Sequence, residues 1–582
     1  MQIPLELKKM LEGDCGLTKQ KAARLVVDLA STAGATEFIK CTHAHVSGVS
    51  PLTGGHGLRR FLEDLSGDID ASVEIPTTLN SAGCDKEKMK EMDIQTEDFL
   101  EHQFEIIHSY SKLGIDATLS CTPYDRGVEY EGIGSWAESN AVAFSNSYTS
   151  LITNRESGLS ALSTALTGWA PKWGLHIEEN RVPNVQVIVD CELEDMADWS
   201  ILGDWIGKQI QPEWNLPWGL MPYIVGLPQK ISFEQKKSLT AAAANYGCPM
   251  LWIDGVTEKP FPNENWKPQG ELLFTNDDLI DRYEELSPNG QVDLVVIGCP
   301  QASIGEVRTT AAAVRNRMEL GERIPDQRLW VFTSGYNHEL LEQEGTLDVL
   351  EEAGALILKD TCPEVTPYNR EKYNHLLTNS LKAEHYLTSG LNRIPTSVMR
   401  IFDCVHHAFE PNLSKGERPI LDSKVKEKFP TNKTFKNGDL ISEGSGLPSQ
   451  KDWSVIGKAL VTDVPITYLG YVNRDTGVIE EPGHPLDGIS IGDTILIYPK
   501  GSGSTVAPFV LMGLIYTGKG PKAIINNDVC PLTLPACSLL NLPYAYEMSE
   551  DLCLELNSGD ELEMKLKNGV VHLEVLNRLI KD

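Results

Sequence analysis

Three cysteines stand where apolar, strand-like segments end, each followed by proline or by threonine and proline. The segments and their cysteines are Gly114–Ser120 before Cys121, Asp293–Gly298 before Cys299, and Ala355–Thr361 before Cys362. Apolar runs bounded by turn residues are typical of strands buried in a parallel sheet. Their carboxyl ends lie at the sheet edge where α/β proteins bind ligands, and a nearby helix N-terminus favours the thiolate that binds metal. The pattern predicts a metal or iron–sulfur site, with Pro300 in the first turn of the next helix.

Each cysteine alone is more readily explained as a buried structural thiol, because free cysteine is among the most buried residue types. The pair Cys-Pro is itself a weak signal, since Cys248-Pro249 precedes its apolar run and Cys530-Pro531 lies far along the chain. Three thiols on one sheet edge would be more specific. The sequence alone leaves open whether they meet.

Two polar loops near the N-terminus are candidate binding sites. The first, Gly48–Ser50, follows His43 and His45, and the second contains Asn80 and Ser81. Small polar side chains and free backbone N–H groups suit a carboxylate or phosphate, although each loop also fits a plain turn. The two histidines would face opposite sides of a strand, which argues against a two-histidine metal site.

Two further motifs carry groups that bind or activate substrates. Asn154-Arg155 is a candidate carboxylate clamp, because arginine forms two parallel hydrogen bonds with a carboxylate; a surface helix cap is the alternative. Lys500–Thr505 lacks the Gly-Lys-Ser/Thr of a phosphate-binding Walker loop. It would still expose the Ser504 hydroxyl and backbone donors at the start of an apolar helix, with a flexible turn as the alternative.

The composition is that of a soluble globular protein, with 41% hydrophobic and 23% charged residues. The 51 basic and 82 acidic residues give a net charge of −31, which argues against nucleic-acid or anionic-membrane binding but allows a small anionic substrate. No apolar run approaches the roughly 18 residues of a membrane span, and no signal-peptide pattern opens the chain. We therefore expect a cytoplasmic protein whose 12 cysteines are reduced, some of them bound to metal.

The chain is too long for a single core, so several domains are expected from its 582 residues. Strand-like segments alternate with helical ones, such as Ile304–Met318, over residues 1–408, which predicts parallel α/β layers. Residues 409–455 contain proline, glycine, serine and a lysine cluster, and they are predicted to form a linker. Short strands and turns over residues 456–582 predict a second, β-rich domain.

In combination these motifs resemble the aconitase X family over nearly the whole chain. Those similar to the family's large component are Gly48-Val49-Ser50, Thr78-Leu79-Asn80, Cys121-Thr122-Pro123, Trp136–Ser139, Thr153–Glu156, Gly298-Cys299-Pro300 and Thr361-Cys362-Pro363. Those similar to the small component are Gly457–Pro465, Gly483–Leu486 and Gly501–Thr505. The resemblance implies a hydro-lyase with an aconitase-like multi-layer α/β large part, a C-terminal swivelling β/β/α domain, and an active site between them.

The resemblance also assigns roles to residues. It implies an iron–sulfur cluster of 2Fe–2S, 3Fe–4S or 4Fe–4S type on Cys121, Cys299 and Cys362, with one iron free to polarise a departing hydroxyl. Ser504 would be the base, and backbone donors must stabilise its alkoxide. Substrate binding would fall to Lys382, otherwise a surface helix lysine, together with Gly48, Val49, Ser50, Asn80, Ser81, Asn154 and Arg155.

The fused arrangement resembles cis-3-hydroxy-L-proline dehydratases, whereas the two-chain archaeal form resembles mevalonate 5-phosphate dehydratases. We therefore expect cis-3-hydroxy-L-proline to lose water and give Δ1-pyrroline-2-carboxylate. The alternatives are a hydro-lyase for a phosphorylated hydroxy acid and a non-catalytic iron–sulfur sensor. Gln301, where the family commonly has histidine, and Ser81 depart from the family pattern and are candidates for altered substrate choice. A fused chain can close its active site as a monomer.

Overall fold

Three α/β parts, each with its own parallel sheet, precede a closed β-barrel with associated helices. The computed structural model describes residues 1–68, 71–94, 97–209, 214, 218–258, 265–410, 440–528 and 530–578. None of the helices in these ranges is both long enough and apolar enough to cross a membrane.

The first part centres on a parallel sheet with the strand order β3-β2-β4-β5, and a short antiparallel pair, β1-β6, lies beside it. Its elements are α1 (Leu5–Glu12), α2 (Leu17–Thr32), β1 (Phe38–Lys40), β2 (His43–Val46), α3 (Pro51–Ser66), β3 (Thr77–Leu79), α4 (Glu97–Lys112), β4 (Glu131–Trp136), α5 (Ser139–Tyr148), β5 (Ser150–Arg155), α6 (Gly158–Thr167) and β6 (Trp169–Pro171). Because the central strands are parallel, the loops that follow them leave from one edge. That edge brings together Gly48, Asn80, Glu138 and Arg155.

The segment before Cys121 is not the strand that was predicted. Its backbone runs beside β3 with a single bridge between Thr78 and Asp116, and Ser120 donates its N–H to the carbonyl of Leu79 at 3.1 Å. Leu119 has a left-handed φ of 48°, which interrupts the extended backbone just before the cysteine. Cys121 therefore lies in a loop at the end of β3.

The second part has the parallel strand order β10-β7-β8-β9. Its elements are β7 (Val185–Asp190), α7 (Met196–Lys208), β8 (Pro222–Val225), α8 (Phe233–Ala244), β9 (Trp252–Ile253), β10 (Gly270–Thr275) and α9 (Asn276–Leu286). Helix α8 begins at a capping box formed by Ser232 and Gln235, which satisfies its first backbone donors. It carries the buried Lys237 toward the third part.

The third part has five parallel strands in the order β13-β12-β11-β14-β15. Its elements are β11 (Leu294–Ala302), α10 (Ile304–Met318), β12 (Leu329–Thr333), α11 (Gly335–Gln343), α12 (Thr346–Ala353), β13 (Leu356–Lys359), β14 (Leu376–Thr378), α13 (Leu381–Ser389), β15 (Thr396–Val398) and α14 (Ile401–Phe409). Strands β11 and β12 are buried along their whole length, as their continuous apolar runs predict.

Pro300 lies within β11 and not in the first turn of the following helix, as was predicted. The strand continues through a cis Cys299–Pro300 bond to Ala302, and α10 begins only at Ile304. Ser303 caps that helix in a capping box with Glu306, so the helix start is set three residues beyond the proline. Cys299 lies beyond Ile297, where the regular pairing of β11 with β12 shifts register.

The last part is a closed barrel with the strand order β16-β22-β21-β19-β17-β23-β24. Its elements are β16 (Leu440–Gly446), β17 (Trp453–Val461), β18 (Ile466–Thr467), α15 (Tyr468–Tyr471), β19 (Thr494–Tyr498), β20 (Gly501–Ser502), α16 (Ala507–Tyr516), β21 (Ala523–Asn526), α17 (Leu534–Leu540), β22 (Tyr544–Tyr546), α18 (Leu552–Glu555), β23 (Glu561–Lys567) and β24 (Val570–Asn577). Of the predicted linker, residues 411–439 lie outside the described residues, and β16 is already a barrel strand.

The barrel domain packs against the first part through a continuous apolar core. Helices α3 and α16 meet there, and Leu58 and Leu62 share one cluster with Phe509 and Met512. The approach of the two helices is close, because a Cβ on Gly57 would lie 2.7 Å from the backbone of α16. This packing places the N-terminus of α16, and the loop before it, over the sheet edge of the first part.

Candidate active site

A small cavity of about 30 Å³, here called the inner pocket, lies where the first part, the third part and the barrel domain meet. Its walls come from the strand-end loops of the two α/β parts and from the loop before α16. The lining residues are Ser47, Gly48, Val49, Ser50, Thr53, Asn80, Ser81, Cys121, Glu138, Cys362, Glu364, Val365, Lys382, Ser504, Thr505 and Val506. All the predicted site residues except Cys299, Asn154 and Arg155 are among them.

The three predicted cysteines form one cluster at the floor of the inner pocket. The Sγ atoms of Cys299 and Cys362 and a carboxylate oxygen of Glu364 all lie within 4.8 Å of one another. The Cys362 thiol hydrogen-bonds with those of Cys121 and Cys299. Three loops from two separate parallel sheets therefore bring these thiols together.

The thiols of the cluster are buried, and burial favours their neutral form. The three cysteines are only 2–4% exposed, and burial raises the pKa of Cys121 well above its ordinary value. The bond with Cys121 lowers the pKa of Cys362, but the bond with Cys299 and burial outweigh it and raise that pKa too. Three sulfurs with an adjacent carboxylate are a donor set that suits iron–sulfur ligation, in which the cation would offset the charge of the deprotonated sulfurs.

Lys382 and Glu138 form a buried ion pair in the wall of the inner pocket, with side chains 3% and 10% exposed. Lys382 contacts Oε1 of Glu138, which also accepts a hydrogen bond from the Asn140 amide at 2.6 Å. Oε2 of Glu138 accepts one from the Asn80 amide at 2.9 Å. Burial by itself raises the pKa of Glu138, but Lys382 and the two amides outweigh it and lower that pKa. Burial likewise opposes the charge on Lys382, yet Glu138 and Glu364 raise its pKa well above the ordinary value. Both groups are held in their charged forms.

Glu364 is a second carboxylate that faces Lys382 from the short helical turn after Cys362. Burial raises the pKa of Glu364 to about 7, although Lys382 opposes the rise. Ser50 donates its hydroxyl to the carbonyl of Val365 at 3.0 Å and so fixes this turn to the first part. Glu364 thus lies between the thiol cluster and the ion pair.

The Ser504 hydroxyl enters the inner pocket from the barrel domain. Gly503 before it has a left-handed φ of 82°, and Val506 directs its backbone N–H at the Ser504 oxygen over 3.5 Å, just before α16 begins. The neighbouring Thr505 is tied to the first part by its carbonyl, which accepts from Gly158 N–H at 3.0 Å, and by a 3.3 Å hydroxyl contact with Ser47. The end of the loop is therefore held against the sheet edge.

Gly48 allows the barrel domain to approach this closely. It has a left-handed φ of 93°, and a Cβ there would lie 2.1 Å from the ring of Phe509. The glycine that was predicted for substrate binding therefore also accommodates the first turn of α16.

Asn154 and Arg155, predicted as a carboxylate clamp, do not line the inner pocket. The Asn154 amide donates to the carbonyl of Trp173 at 3.1 Å and accepts from Leu175 N–H at 2.8 Å, so it holds a neighbouring turn. Arg155 donates to the carbonyl of Gly503 at 3.1 Å, and its buried Nε has no hydrogen-bond partner among the described residues.

Residue patterns missed two acidic side chains of the site. Glu138 belongs to a family-like motif but had no predicted role, and Glu364, two residues after Cys362, had none either. A usable signal existed, because both follow strand ends at the same sheet edges as the predicted residues. Their importance depends on Lys382, which lies 244 residues beyond Glu138 in the chain.

A larger cavity of about 320 Å³, here called the outer chamber, shares Glu364 and Ser504 with the inner pocket. Its walls come from α13 and the residues after α8 on one side and from the barrel domain on the other. The described lining residues include Glu364 and Glu481 but no lysine or arginine, and burial lowers the pKa of His385 to about 4, which keeps it neutral. Among the described residues, Oδ1 of Asn245 and Oε2 of Glu481 have no hydrogen-bond donor. The chamber offers acceptors to a ligand.

Family models match the chain in four consecutive pieces: the aconitase X first domain over residues 1–179, the second over 183–284, the third over 292–410, and the swivel domain over 451–573. The solved structure of Thermococcus kodakaraensis aconitase X in its holo-form superposes on 70% of this chain and on 100% of its own, with a TM-score of 0.63 and 30% identity. These matches confirm the predicted fold class.

Two curated relatives illustrate the range of named activities. The phosphomevalonate dehydratase large subunit of Methanothermobacter thermautotrophicus is 34% identical over 386 residues, which are 65% of this chain and 92% of that protein. The cis-3-hydroxy-L-proline dehydratase of Pseudomonas aeruginosa is 32% identical over 402 residues, which are 66% of each chain. Both names describe enzymes that remove water, and their substrates differ.

Proposed function

The chain belongs to the aconitase X family of hydro-lyases, and we propose that it dehydrates cis-3-hydroxy-L-proline to Δ1-pyrroline-2-carboxylate. The observation that carries this choice of substrate is the acidic lining of the two cavities, which share Glu364 and Ser504. Lys382 is the only lysine or arginine among the described residues that line them, and it is already paired with Glu138. Two further carboxylates, Glu364 and Glu481, face the same space.

This distribution of charge suits an imino acid better than a phosphate ester. A phosphate dianion would meet one lysine that is already paired and no second cation among the described lining residues. Burial raises the pKa values of Glu364 and Glu481 to about 7, so the fraction of each that is ionised would repel the dianion. An imino acid carries one carboxylate and one ammonium. Lys382 and the loop Gly48–Ser50 offer donors to the carboxylate, and Glu364 offers an acceptor to the ammonium.

Chain length also supports the imino acid. The 402 residues aligned with the Pseudomonas aeruginosa enzyme are 66% of that protein, which is therefore about 600 residues long and close to the 582 residues here. The phosphomevalonate dehydratase relatives are named as large subunits, and this chain contains a swivel domain in addition.

Phosphomevalonate is the second candidate substrate, and the identities favour it. The large subunit of Methanothermobacter thermautotrophicus matches at 34%, whereas two hydroxyproline dehydratases match at 32% and 28%. These values are too close to separate the two activities, because few residues of a chain contact the substrate.

The proposed reaction removes the proton from Cα and hydroxide from the neighbouring carbon, leaving an enamine that tautomerises to the cyclic imine. An iron–sulfur cluster on Cys121, Cys299 and Cys362 would act as a Lewis acid toward the departing hydroxyl. We assign removal of the Cα proton to Ser504. The N–H of Val506 and the N-terminus of α16 would stabilise the Ser504 alkoxide. Lys382 orients the substrate carboxylate, and the docked barrel domain excludes water from the inner pocket.

The test is anaerobic turnover by iron- and sulfide-reconstituted protein, with cis-3-hydroxy-L-proline and phosphomevalonate as parallel substrates. We expect kcat/KM to be at least 100-fold higher for the imino acid, corresponding to about 2.7 kcal/mol of transition-state discrimination. Ser504→Ala should lose at least about 1,000-fold in kcat, whereas the matched serine variant Ser454→Ala, on an exposed barrel strand, should retain wild-type turnover. A preference for phosphomevalonate would overturn the substrate, and an active Ser504→Ala variant would overturn the base.

A further inference from the structure

Gln301 does not contact the space in which a substrate would bind. Its side chain is completely buried, and it is absent from the lining of both the inner pocket and the outer chamber. Although it replaces the family's common histidine, its position gives it no route to affect substrate choice by contact. What it contacts is the backbone around the thiol cluster.

The amide of Gln301 joins the loops that carry the other two cysteines. Its oxygen accepts a hydrogen bond from the backbone N–H of Cys121 at 3.1 Å. Its NH2 group donates to the carbonyl of Thr361 at 2.9 Å and to that of Leu119 at 3.2 Å. The Gln301 amide therefore connects Thr361, the residue before Cys362, with two residues of the Cys121 loop, Leu119 and Cys121 itself.

The backbone of Gln301 is hydrogen-bonded as well. Its N–H donates to the Sγ of Cys121 at 3.3 Å, and its carbonyl accepts from the ammonium of Lys237 at 2.7 Å. Lys237 is 1% exposed, also donates to the carbonyl of Pro300 at 3.2 Å, and is ion-paired with Glu306. The segment that carries Cys299 thus has little freedom to move independently of α8.

These bonds replace a strand ladder that the fold lacks. The Cys121 loop belongs to the first sheet and Cys299 to the third, and no described strand of one sheet pairs with the other. The β-pairing between them within the described ranges is limited to an isolated bridge between Ala82 and Thr361. Buried backbone groups in such irregular segments need side-chain partners, and Gln301 supplies three of them at once.

We propose that Gln301 is a positioning residue, whose side-chain amide fixes the loops of Cys121 and Cys362 relative to Cys299 and so preorganises three thiols for cluster binding. This inference rests on the proposed cluster but not on the identity of the substrate. The preorganisation belongs to the polypeptide, so it can be measured without iron.

The test compares Gln301→Met, which keeps the length of the side chain and removes its hydrogen bonds, with Gln301→His, which restores one donor and one acceptor. The matched control is Asn146→Leu. The Asn146 amide also bonds backbone groups on two segments, donating to the carbonyls of Thr153 and Pro249 at 2.9 Å each. It lies outside both cavities.

The first readout is the binding of arsenite to the apo protein, since one arsenic atom bonds three thiols together, with Cys299→Ser setting the background from other cysteines. We expect Gln301→Met to weaken this binding at least tenfold, Gln301→His to recover part of it, and Asn146→Leu to leave it unchanged. The second readout is iron retained under a chelator after reconstitution, which should be lost at least tenfold faster from Gln301→Met than from Asn146→Leu.

If Gln301→Met binds arsenite as tightly as the wild type and loses as much thermal stability as Asn146→Leu, Gln301 is only a structural residue. That result would overturn the inference. If the wild type turns over phosphomevalonate in place of the imino acid, the substrate proposal fails while the arsenite result stands. If the wild type retains no iron but Gln301→Met still weakens arsenite binding, the thiol positioning holds and the cluster proposal falls.

Discussion

The ammonium of Lys382 and the carboxylate of Glu138 are buried together, so removing either one leaves an uncompensated charge. We predict that Lys382→Met lowers the free energy of unfolding by about 3–5 kcal/mol and kcat/KM by about 100-fold or more. The double variant Glu138→Gln/Lys382→Met should recover most of the stability, because neither charge then remains, but none of the activity. Urea unfolding and steady-state kinetics on the three proteins measure both effects. Recovered activity in the double variant would show that Lys382 serves only as the partner of Glu138.

At the residue scale, the sequence predicted those site residues that their immediate neighbours in the chain indicate. Cysteine followed by proline, or by threonine and proline, is a weak signal by itself, and it is the occurrence of three such cysteines after strand-like segments that indicates Cys121, Cys299 and Cys362 as candidate ligands. The contacts that Asn154 and Arg155 make with a neighbouring turn and with the serine loop were not predicted, because they depend on where the side chains point. Long-range partners of this kind leave no mark on the local sequence.

The packing of α3 on α16 is the element that delivers Ser504 to the inner pocket. A Cβ on Gly57 would lie 2.7 Å from the backbone of Gly513, whereas a Cβ on Gly513 would meet nothing within 4 Å. We therefore predict that Gly57→Ala separates the two helices and lowers kcat/KM at least tenfold, while the barrel domain stays folded. Hydrogen exchange of α16 and steady-state kinetics report the two effects.

Gly513→Ala is the matched control in the same helix pair. It should keep activity within about twofold and gain up to about 1 kcal/mol of stability, since alanine is the better helix former. Wild-type kinetics in Gly57→Ala would show that the closeness of these helices does not govern the placement of Ser504.

Elements with strong local signals matched their predictions closely. The predicted helix Ile304–Met318 is α10 with the same bounds, because Ser303 and Glu306 form a capping box at its start. The prediction of a strand before Cys121 was wrong because Leu119, which has a left-handed backbone conformation, interrupts an otherwise strand-like segment. The prediction that Pro300 lies in the first turn of a helix was wrong because the same local residues are compatible with a bend within a strand and with the start of a helix.

At the scale of the whole molecule, Asp28 links the first part to the barrel domain. Its fully buried carboxylate accepts from Ser449 N–H at 2.9 Å and from the hydroxyls of Ser449 and Ser538. Burial nevertheless outweighs these bonds and raises the pKa of Asp28 to about 6, from an ordinary value of 3.8. Between these values the folded state binds a proton that the unfolded state has lost, so the contribution of Asp28 to stability falls as the pH rises.

We predict that Asp28→Asn and wild type are similarly stable near pH 4. Above about pH 6, the free energy of unfolding of the variant should exceed that of the wild type by up to about 3 kcal/mol. Asparagine can accept from the Ser449 N–H and donate to both hydroxyls, so the interface remains bonded. Denaturant unfolding across this pH range measures the difference, which must grow with pH. A constant difference would contradict the raised pKa. Contacts between residues 28 and 538 could not have been inferred from the sequence, since nothing local indicates them.

A barrel-domain serine and a three-thiol cluster are proposed to act together on an imino acid. The most direct test is anaerobic turnover of cis-3-hydroxy-L-proline by reconstituted wild type and Ser504→Ala, with bound iron quantified in both. We expect Δ1-pyrroline-2-carboxylate from the wild type and none from a variant that holds the same amount of iron. If an iron-loaded wild type leaves the imino acid unchanged, the proposal is wrong.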